Sequence, residues 1–365
     1  MIYRIYGQKD TTIYEPSTRV QQNTGVDEIL EVTKFYDELT EENFEGNSRV
    51  LIKFDITSIS ESVASGDISG GIKYYLNLIS TEQNEVQSEY ELQVYQVSQS
   101  WSEGIGQFYD NPITKYGTSW QYRTNDDKWT TGSFTSGTIG TNASQSGGGT
   151  WFTASANNTT YSQTFNKSTN DLKVEVTEYV SDWITGSRTN DGFIVKRTDS
   201  QETGSVRHGS SKFFSSETHT IYVPTLEVRW VDSSFVTGSL QELTAENILL
   251  YSKTLLAEYK ELSRARIRIV GRERYPTRTF STSSAYTTVK YLPTTTYYQV
   301  RDVETNLVII PYDTTYTKVS CDSTGNYFDF RFNTLQPERF YQFEFRVDRS
   351  SRKEYFDGYV FKVVR

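Results

Sequence analysis

The stretch whose reading decides the fold is residues 174–195, VEVTEYVSDWITGSRTNDGFIV. Val174 and Val176 alternate with Glu175 and Thr177, the period of two that marks a strand with one buried face. Val180 and Trp183 then stand three apart, the spacing of one helical turn. Gly186 supplies a turn, and Phe193, Ile194 and Val195 begin a second apolar run. The segment reads as strand, short helix, glycine turn and strand, with no group arranged for catalysis. It is scaffold, and it predicts a sandwich end closed by Val180 and Trp183.

The same alternation recurs outward from it. RVLIKFDI (49–56), IKYYLNLIS (72–80), YELQVYQVS (90–98), DLKVEVT, DGFIVKR and PTLEVRWVD (224–232) read as strands separated by turn residues. Composition agrees: 27 Tyr, 20 Phe and 6 Trp suit pleated, half-buried surfaces better than helices. The expectation is an all-β protein with an N-terminal jelly-roll-like β-sandwich. FYDELTEENF (35–44) reads as an acidic surface turn, and SISESVAS (58–65) as a helical turn wrapping one end.

At 365 residues the chain exceeds one typical domain, and its charge is uneven. Residues 1–235 carry 18 Lys and Arg against 31 Asp and Glu, a net −13; residues 236–365 carry 19 against 15, a net +4. All six Trp fall in the first part. Two modules follow: a β-sandwich over 1–235 and a smaller, immunoglobulin-like, β-rich assembly domain over 236–365 with room for two subdomains, joined by SSFVTGSLQEL (233–243) as linker. In the second module ILLYSKTLLAEYKEL reads as helical, because Leu249, Lys253, Leu256 and Lys260 share a face. RARIRIV, TTYYQVRDVETNLVIIPYD (295–313), GNYFDFRFNTL and RFYQFEFRVD read as strands, the second of them folding back at an Asp-centred turn.

Several function classes fall away. The lone Cys321 rules out an intramolecular disulfide framework and a cysteine-built zinc site. The N-terminus MIYRIYGQKDTTIY alternates like a strand and lacks the apolar core of a signal peptide, and no window reaches the ~18 apolar residues of a membrane helix. The expectation is a protein without a cleavable leader and without a membrane partner. An acidic first module argues against specific nucleic acid as the ligand. No phosphate-binding loop, dinucleotide fingerprint or nucleophile elbow occurs, and 46 acidic residues make any glycosidase carboxylate pair uninformative. No catalytic residue, cofactor or metal is predicted. Asn125, Asp126 and Asp127 near Asp110 lack calcium-loop spacing, and His208 and His219 lack a zinc motif and read as loop or edge residues.

Two sets of residues carry the functional question. An insert at about 105–165 is rich in Gly, Ser, Thr and Asn, yet holds Tyr109, Trp120, Tyr122, Trp129 and Trp151, more aromatic surface than a linker carries. These rings either stack on sugars of a host-surface glycan or pack on each other and on a neighbouring subunit. Arg264, Arg266 and Arg268 share one strand face, with Arg272 and Arg274 following; they form either an assembly interface for an acidic partner or a solvated face. Trp101 and Trp183 read as framework.

The order of KDTTIYE, NTGVDEILEV, RVLIKFDI, VYQVSQSWSEG (94–104), VEVTEYVSDWITG, NDGFIV, KFFSSET (212–218) and PTLEVRW resembles DNRLRE-type β-sandwich domains, a carbohydrate-binding-module-like family, over residues 7–232. The most specific part is Trp101-Ser-Glu-Gly and Trp183-Ile-Thr-Gly followed by Asn190-Asp-Gly; the insert at 123–165 is longer than the usual form. RIVGRERYPTRTF (268–280), YLPTTTYYQVRDVETNLVIIPYD (291–313), CDSTGNYFDFRF (321–332) and LQPERFYQFEFRV (335–347) resemble the C-terminal module of neck, ring or tail virion proteins of tailed bacteriophages, including crAss-like phages. Together the resemblances imply a structural protein of the virion, assembled in the host cytoplasm. Its implied partners are other copies of itself and portal, tail or ring components, with glycan contact as a further role and a carbohydrate-binding protein as the alternative.

Overall fold

The computed structural model describes every residue except 17, 36–45, 85–88, 130–138, 141–146, 167–169, 205, 207, 277–287, 350 and 351. The acidic turn expected at 35–44 and Phe134 of the insert therefore lie outside the described residues, Phe35 apart. The protein is all-β and sandwich-like. It divides into two compact units: residues 5–62 with 73–227, and residues 1–4 with 63–72 and 228–365. The boundary expected at 235/236 thus lies at 227/228, and two N-terminal segments join the C-terminal unit.

The first part of the chain contributes β1 (Ile2–Tyr14), β2 (Ile29–Phe35), β3 (Gly46–Phe54), α1 (Thr57–Ala64), β4 (Lys73–Leu78), β5 (Ser80–Asn84) and β6 (Glu89–Val97). It continues with β7 (Ile139–Gly140), β8 (Trp151–Phe152), β9 (Tyr161–Asn166), β10 (Leu172–Glu175), α2 (Thr177–Ile184), β11 (Phe193–Arg197), α3 (Asp199–Thr203), β12 (Gly209–Phe214) and β13 (Thr225–Arg229). The strands run in the order β10-β4-β13-β1-β3-β11-β6-β8-β7, with β9 on β6 and a branch in which β12 pairs with β2 and β5. Burial explains the order. β6 alternates buried Tyr90, Leu92 and Val94 with half-buried neighbours, whereas β3 and β11 are buried on both faces and stand at the centre.

The opening stretch folds as read. β10 pairs antiparallel with β4, α2 buries Tyr179, Val180 and Trp183, Gly186 turns at φ +75°, and β11 inserts between β3 and β6. Trp183 packs on Phe193 at 4.7 Å between ring centroids. The helical turn expected at 58–65 is α1, with Ile59 buried.

The C-terminal part contributes β14 (Gln241–Glu242), β15 (Ile248–Ser252), β16 (Glu258–Lys260), β17 (Arg264–Glu273), β18 (Lys290–Tyr291), β19 (Thr296–Asp302), β20 (Val308–Ile310), β21 (Ser320–Asp322), β22 (Gly325–Arg331), β23 (Arg339–Asp348) and β24 (Lys353–Val364). One sheet runs β14-β18-β17-β22-β21 with β15 on β17; the other runs β16-β24-β23-β19-β20. Alternate residues of both enter one core. Ile267, Ile269, Phe328 and Phe330 of the first sheet and Tyr298, Val300, Phe343, Phe345 and Phe361 of the second belong to a single buried cluster. Phe330 and Phe343 meet edge to face at 5.1 Å and 85°, while Tyr298 stacks on Phe328 and Phe343 on Phe361.

Two expectations for this part are corrected. ILLYSKTLLAEYKEL is not a helix: β15 pairs with β17, and β16 runs parallel to β24. Tyr259 is buried and stacks on Phe332 at 3.9 Å, while Leu256, central to the helical face, is 60% exposed; strand pairing and this one aromatic anchor outweigh a weak helical preference. The supposed linker 233–243 is also structured. Phe235 bridges to Cys321, β14 pairs with β18, and Leu243 is fully buried.

Candidate functional site

The insert tryptophans are core residues. Trp120, Trp129 and Trp151 are buried with Trp101, Ile13, Leu51, Val97 and Ile194 in one cluster. The indole N–H of Trp129 donates to the carbonyl of Ser119 at 3.0 Å, and that of Trp101 to the carbonyl of Asp191 at 2.8 Å. At the centre stands Arg49 from β3, its guanidinium 4.7 Å from the Trp120 ring and 4.9 Å from the Trp151 ring. Arg49 donates to both carboxylate oxygens of Glu202 on α3 and to the carbonyl of Gly148, tying helix, strand and insert together. Lys196, also closed to solvent, lies 3.1 Å from Glu202 and 2.6 Å from Asp199. The tryptophan faces are thus turned inward, and sugar stacking on Trp120, Trp129 and Trp151 is corrected: their burial leaves no ring face for a ligand. The sequence held no sign of this charged centre, because Arg49 reads as the polar start of a strand and Glu202 as a surface carboxylate.

The remaining insert aromatics divide. Tyr122 is half-buried and bridges to Lys128 across a small hairpin. Tyr109 is 90% exposed, and Ile105 and Tyr116 on the same loop are 67% and 60% exposed.

That loop is held from below by polar side chains of residues 19–27. The Asn23 amide donates to the carbonyls of Glu103 and Thr118 at 2.5 and 2.7 Å and accepts from the Gly106 N–H at 2.8 Å. Gln22 donates to the carbonyls of Gln107 and Phe108, and the Asp27 carboxylate accepts the Phe108 N–H at 3.1 Å. Arg19 lies over the Phe108 ring at 3.7 Å, and Tyr109 stands edge-on to Phe108 at 5.2 Å. The two ends of the loop pass so closely that a Cβ on Gly117, at φ +116°, would sit 2.4 Å from the Gly104 Cα. A buried polar network of this kind fixes a loop in one conformation. Its tip nonetheless carries apolar and aromatic groups into solvent.

Several carboxyls at the base are perturbed. Burial lifts Asp10, which accepts the N–H and hydroxyl of Ser216 at 2.7 and 2.6 Å, to about 7. Burial likewise lifts Asp27 to about 6 and raises Glu103, which accepts the Asp10 N–H.

The arginines of β17 face their own sheet. Arg266 forks onto Asp329 with two bonds of 2.9 Å, and Arg268 onto Asp322 with bonds of 3.0 and 2.7 Å. Arg264 lies 3.5 Å from Asp67 and 3.8 Å from Asp329. Arg266 also stacks over Tyr327 at 4.0 Å. Arg272 is half-buried and Arg274 exposed. Three of the five therefore meet acids of the same unit.

No cluster of three or more metal-ligating acids, histidines or cysteines occurs among the described residues. Asn125 accepts the Gly117 N–H, and Asp127 is bonded by Arg123 and Thr124. His208 is buried beside β12, and His219 is exposed 3.6 Å from Glu28. No helix among the described residues is long and apolar enough to cross a membrane. No known protein family matches the chain, and no curated protein is similar to it.

Proposed function

We propose that the protein is a non-enzymatic structural component of a tailed-bacteriophage particle, at the neck, collar or tail ring, and that it works by protein–protein contact. Its partners are copies of itself and neighbouring portal, tail or ring components. The observation that carries this reading is the loop 104–117: Ile105, Tyr109 and Tyr116 are displayed to solvent on a base fixed by Asn23, Gln22 and Asp27. A preorganised loop with exposed aromatic groups suits a protein interface, because ordering costs little when the partner arrives. The resemblance of residues 247–365 to virion modules and of residues 7–232 to DNRLRE-type sandwiches supports the same reading. Mass spectrometry of purified particles, together with light scattering of the protein alone, is the test. The protein is expected in stoichiometric amounts in the particle, and its absence there would overturn the reading.

Contact with host-surface glycan is the second role we propose. Its support is the resemblance of residues 7–232 to carbohydrate-binding-module-like sandwiches.

A further inference from the structure

The buried charges of the N-terminal unit do not balance. Four cations, Lys34, Arg49, Lys196 and Arg197, are buried around Glu202, the last three of them closed to solvent. The Glu202 carboxylate serves Arg49 and Lys196, and Lys34 donates to its main-chain carbonyl at 2.7 Å. Lys196 has the exposed Asp199 as well. The other buried acids described in this unit are engaged elsewhere, Asp182 beside Arg188, Glu227 beside Lys173 and Asp10 on Ser216.

Arg197 is the cation left unanswered. One of its nitrogens, Nη2, donates to the carbonyls of His208 and Gly209 at 2.9 and 3.1 Å, and the Tyr90 ring centroid lies 5.3 Å from the guanidinium carbon. Its Nε and Nη1 find no acceptor among the described residues. Burial pulls the guanidinium down only to about 10, so it stays charged at neutral pH. The polar groups of the adjoining segment share the deficit. His208 Nδ1 and the hydroxyls of Ser210 and Ser211 on β12 also have no partner among the described residues. Burial, and then the charges of Arg197 and Lys34, lower the His208 pKa, so this ring adds no charge of its own at neutral pH.

We propose that Arg197 holds a small monovalent inorganic anion, of about chloride's size, inside the sandwich. Water satisfies free N–H groups but leaves the charge unanswered, and a guanidinium withdrawn from water without a counter-charge is among the costliest groups a core can hold. An anion supplies the acceptor and the charge together. Enclosure sets its size: Arg197 is closed to solvent and His208 is buried beside it, which suits an atom-sized ion and not a phosphate or a sulfate. The inference concerns the N-terminal unit alone and does not depend on where the protein sits in a particle.

Two measurements on the full chain test it. In crystals grown with sodium bromide, an anomalous peak is expected within hydrogen-bonding reach of the Arg197 guanidinium. In solution, thermal melting is followed by tryptophan fluorescence while sodium bromide replaces sodium gluconate at fixed ionic strength. The midpoint should rise by about 5 °C once bromide reaches roughly 100 times its dissociation constant. Arg197→Met should remove both the peak and the rise, whereas Arg266→Ala, which alters a partly exposed ion pair in the other unit, should keep them. If Arg197→Met does not fold, the peak and the bromide response of the parent protein decide the matter. Density at Nε and Nη1 without anomalous signal, a midpoint indifferent to bromide, or the same response in Arg197→Met would overturn the proposal. Inorganic phosphate raising the midpoint as bromide does would overturn the assignment to an atom-sized ion.

Discussion

Arg49 grips Glu202 through two parallel bonds, Nε to Oε1 at 3.0 Å and Nη2 to Oε2 at 2.7 Å, with both side chains closed to solvent. The pair joins residues far apart in sequence, and Trp120 and Trp151 flank the guanidinium. Lys196 leans on the same carboxylate. One buried acid thus answers two buried cations.

Removing that acid is the most damaging single change expected in the N-terminal unit. Glu202→Ala strands Arg49 and Lys196 without their shared partner, a loss of about 3–5 kcal/mol. Glu202→Gln keeps the shape and one acceptor and should still cost more than a surface change. Urea unfolding followed by tryptophan fluorescence measures both, since the buried indoles surround Arg49. A loss below about 1 kcal/mol for Glu202→Ala would show the pair to be dispensable.

The strands were largely legible before the structure, and this centre was not. Val50, Ile52 and Phe54 announce β3 by their spacing, and Val180 with Trp183 announces α2, because period and burial are local properties of the chain. Arg49 and Glu202 lie 153 positions apart, and nothing local distinguishes a buried arginine from a surface one. The same reason hid Asn23, whose bonds to Glu103, Thr118 and Gly106 span 80 or more positions. For Trp120, Trp129 and Trp151 the sequence left ligand stacking and internal packing open, since a polar insert can carry its aromatics inward as easily as outward, and their shared cluster answers for packing. The segment 248–262 is strand rather than helix because its helical period was weaker evidence than its pairing with β17 and β24.

Asn23 should control the exposed loop. Asn23→Ala leaves the carbonyls of Glu103 and Thr118 and the N–H of Gly106 without their side-chain partner, at a cost of about 3 kcal/mol in total. The expected outcome is rapid amide exchange and proteolytic nicking confined to 104–117, with the C-terminal unit unaffected. Hydrogen-exchange mass spectrometry reads this directly, and unchanged protection of the loop would refute it.

Mild acid should stabilise the N-terminal unit. Burial raises Asp10 to about 7, raises Asp27 to about 6, and raises Glu103 as well. A carboxyl whose folded pKa lies above its unfolded value favours folding when protonated. Its contribution is complete below the unfolded value near 4 and disappears as pH rises through 6 to 7. The melting temperature should therefore climb on going from about pH 8 to about pH 5. Asp10→Asn keeps an acceptor for Ser216 and should add on the order of 1–3 kcal/mol at pH 8, less at pH 5 and almost nothing below about pH 4. In the C-terminal unit the Arg268 fork holds the Asp322 carboxyl well below its usual range, so that pair's contribution is present above about pH 4 and is lost only in stronger acid.

Assembly should follow the exposed loop and not the arginine strand. The Arg266 fork is matched by Asp329 within its own sheet and is partly exposed, so Arg266→Ala should cost less than about 1 kcal/mol and leave the oligomeric state alone. Tyr109 gives up 90% of its surface to solvent, so Tyr109→Ser costs the isolated fold almost nothing. Paired with Ile105→Ser, it removes the aromatic tip and an aliphatic neighbour on one rigid loop, the kind of anchor that dominates binding energy. The double variant is expected to melt like the parent while losing self-association in light scattering or incorporation into particles. The reverse pattern, with Arg266→Ala abolishing assembly and the loop variant assembling normally, would move the interface to β17.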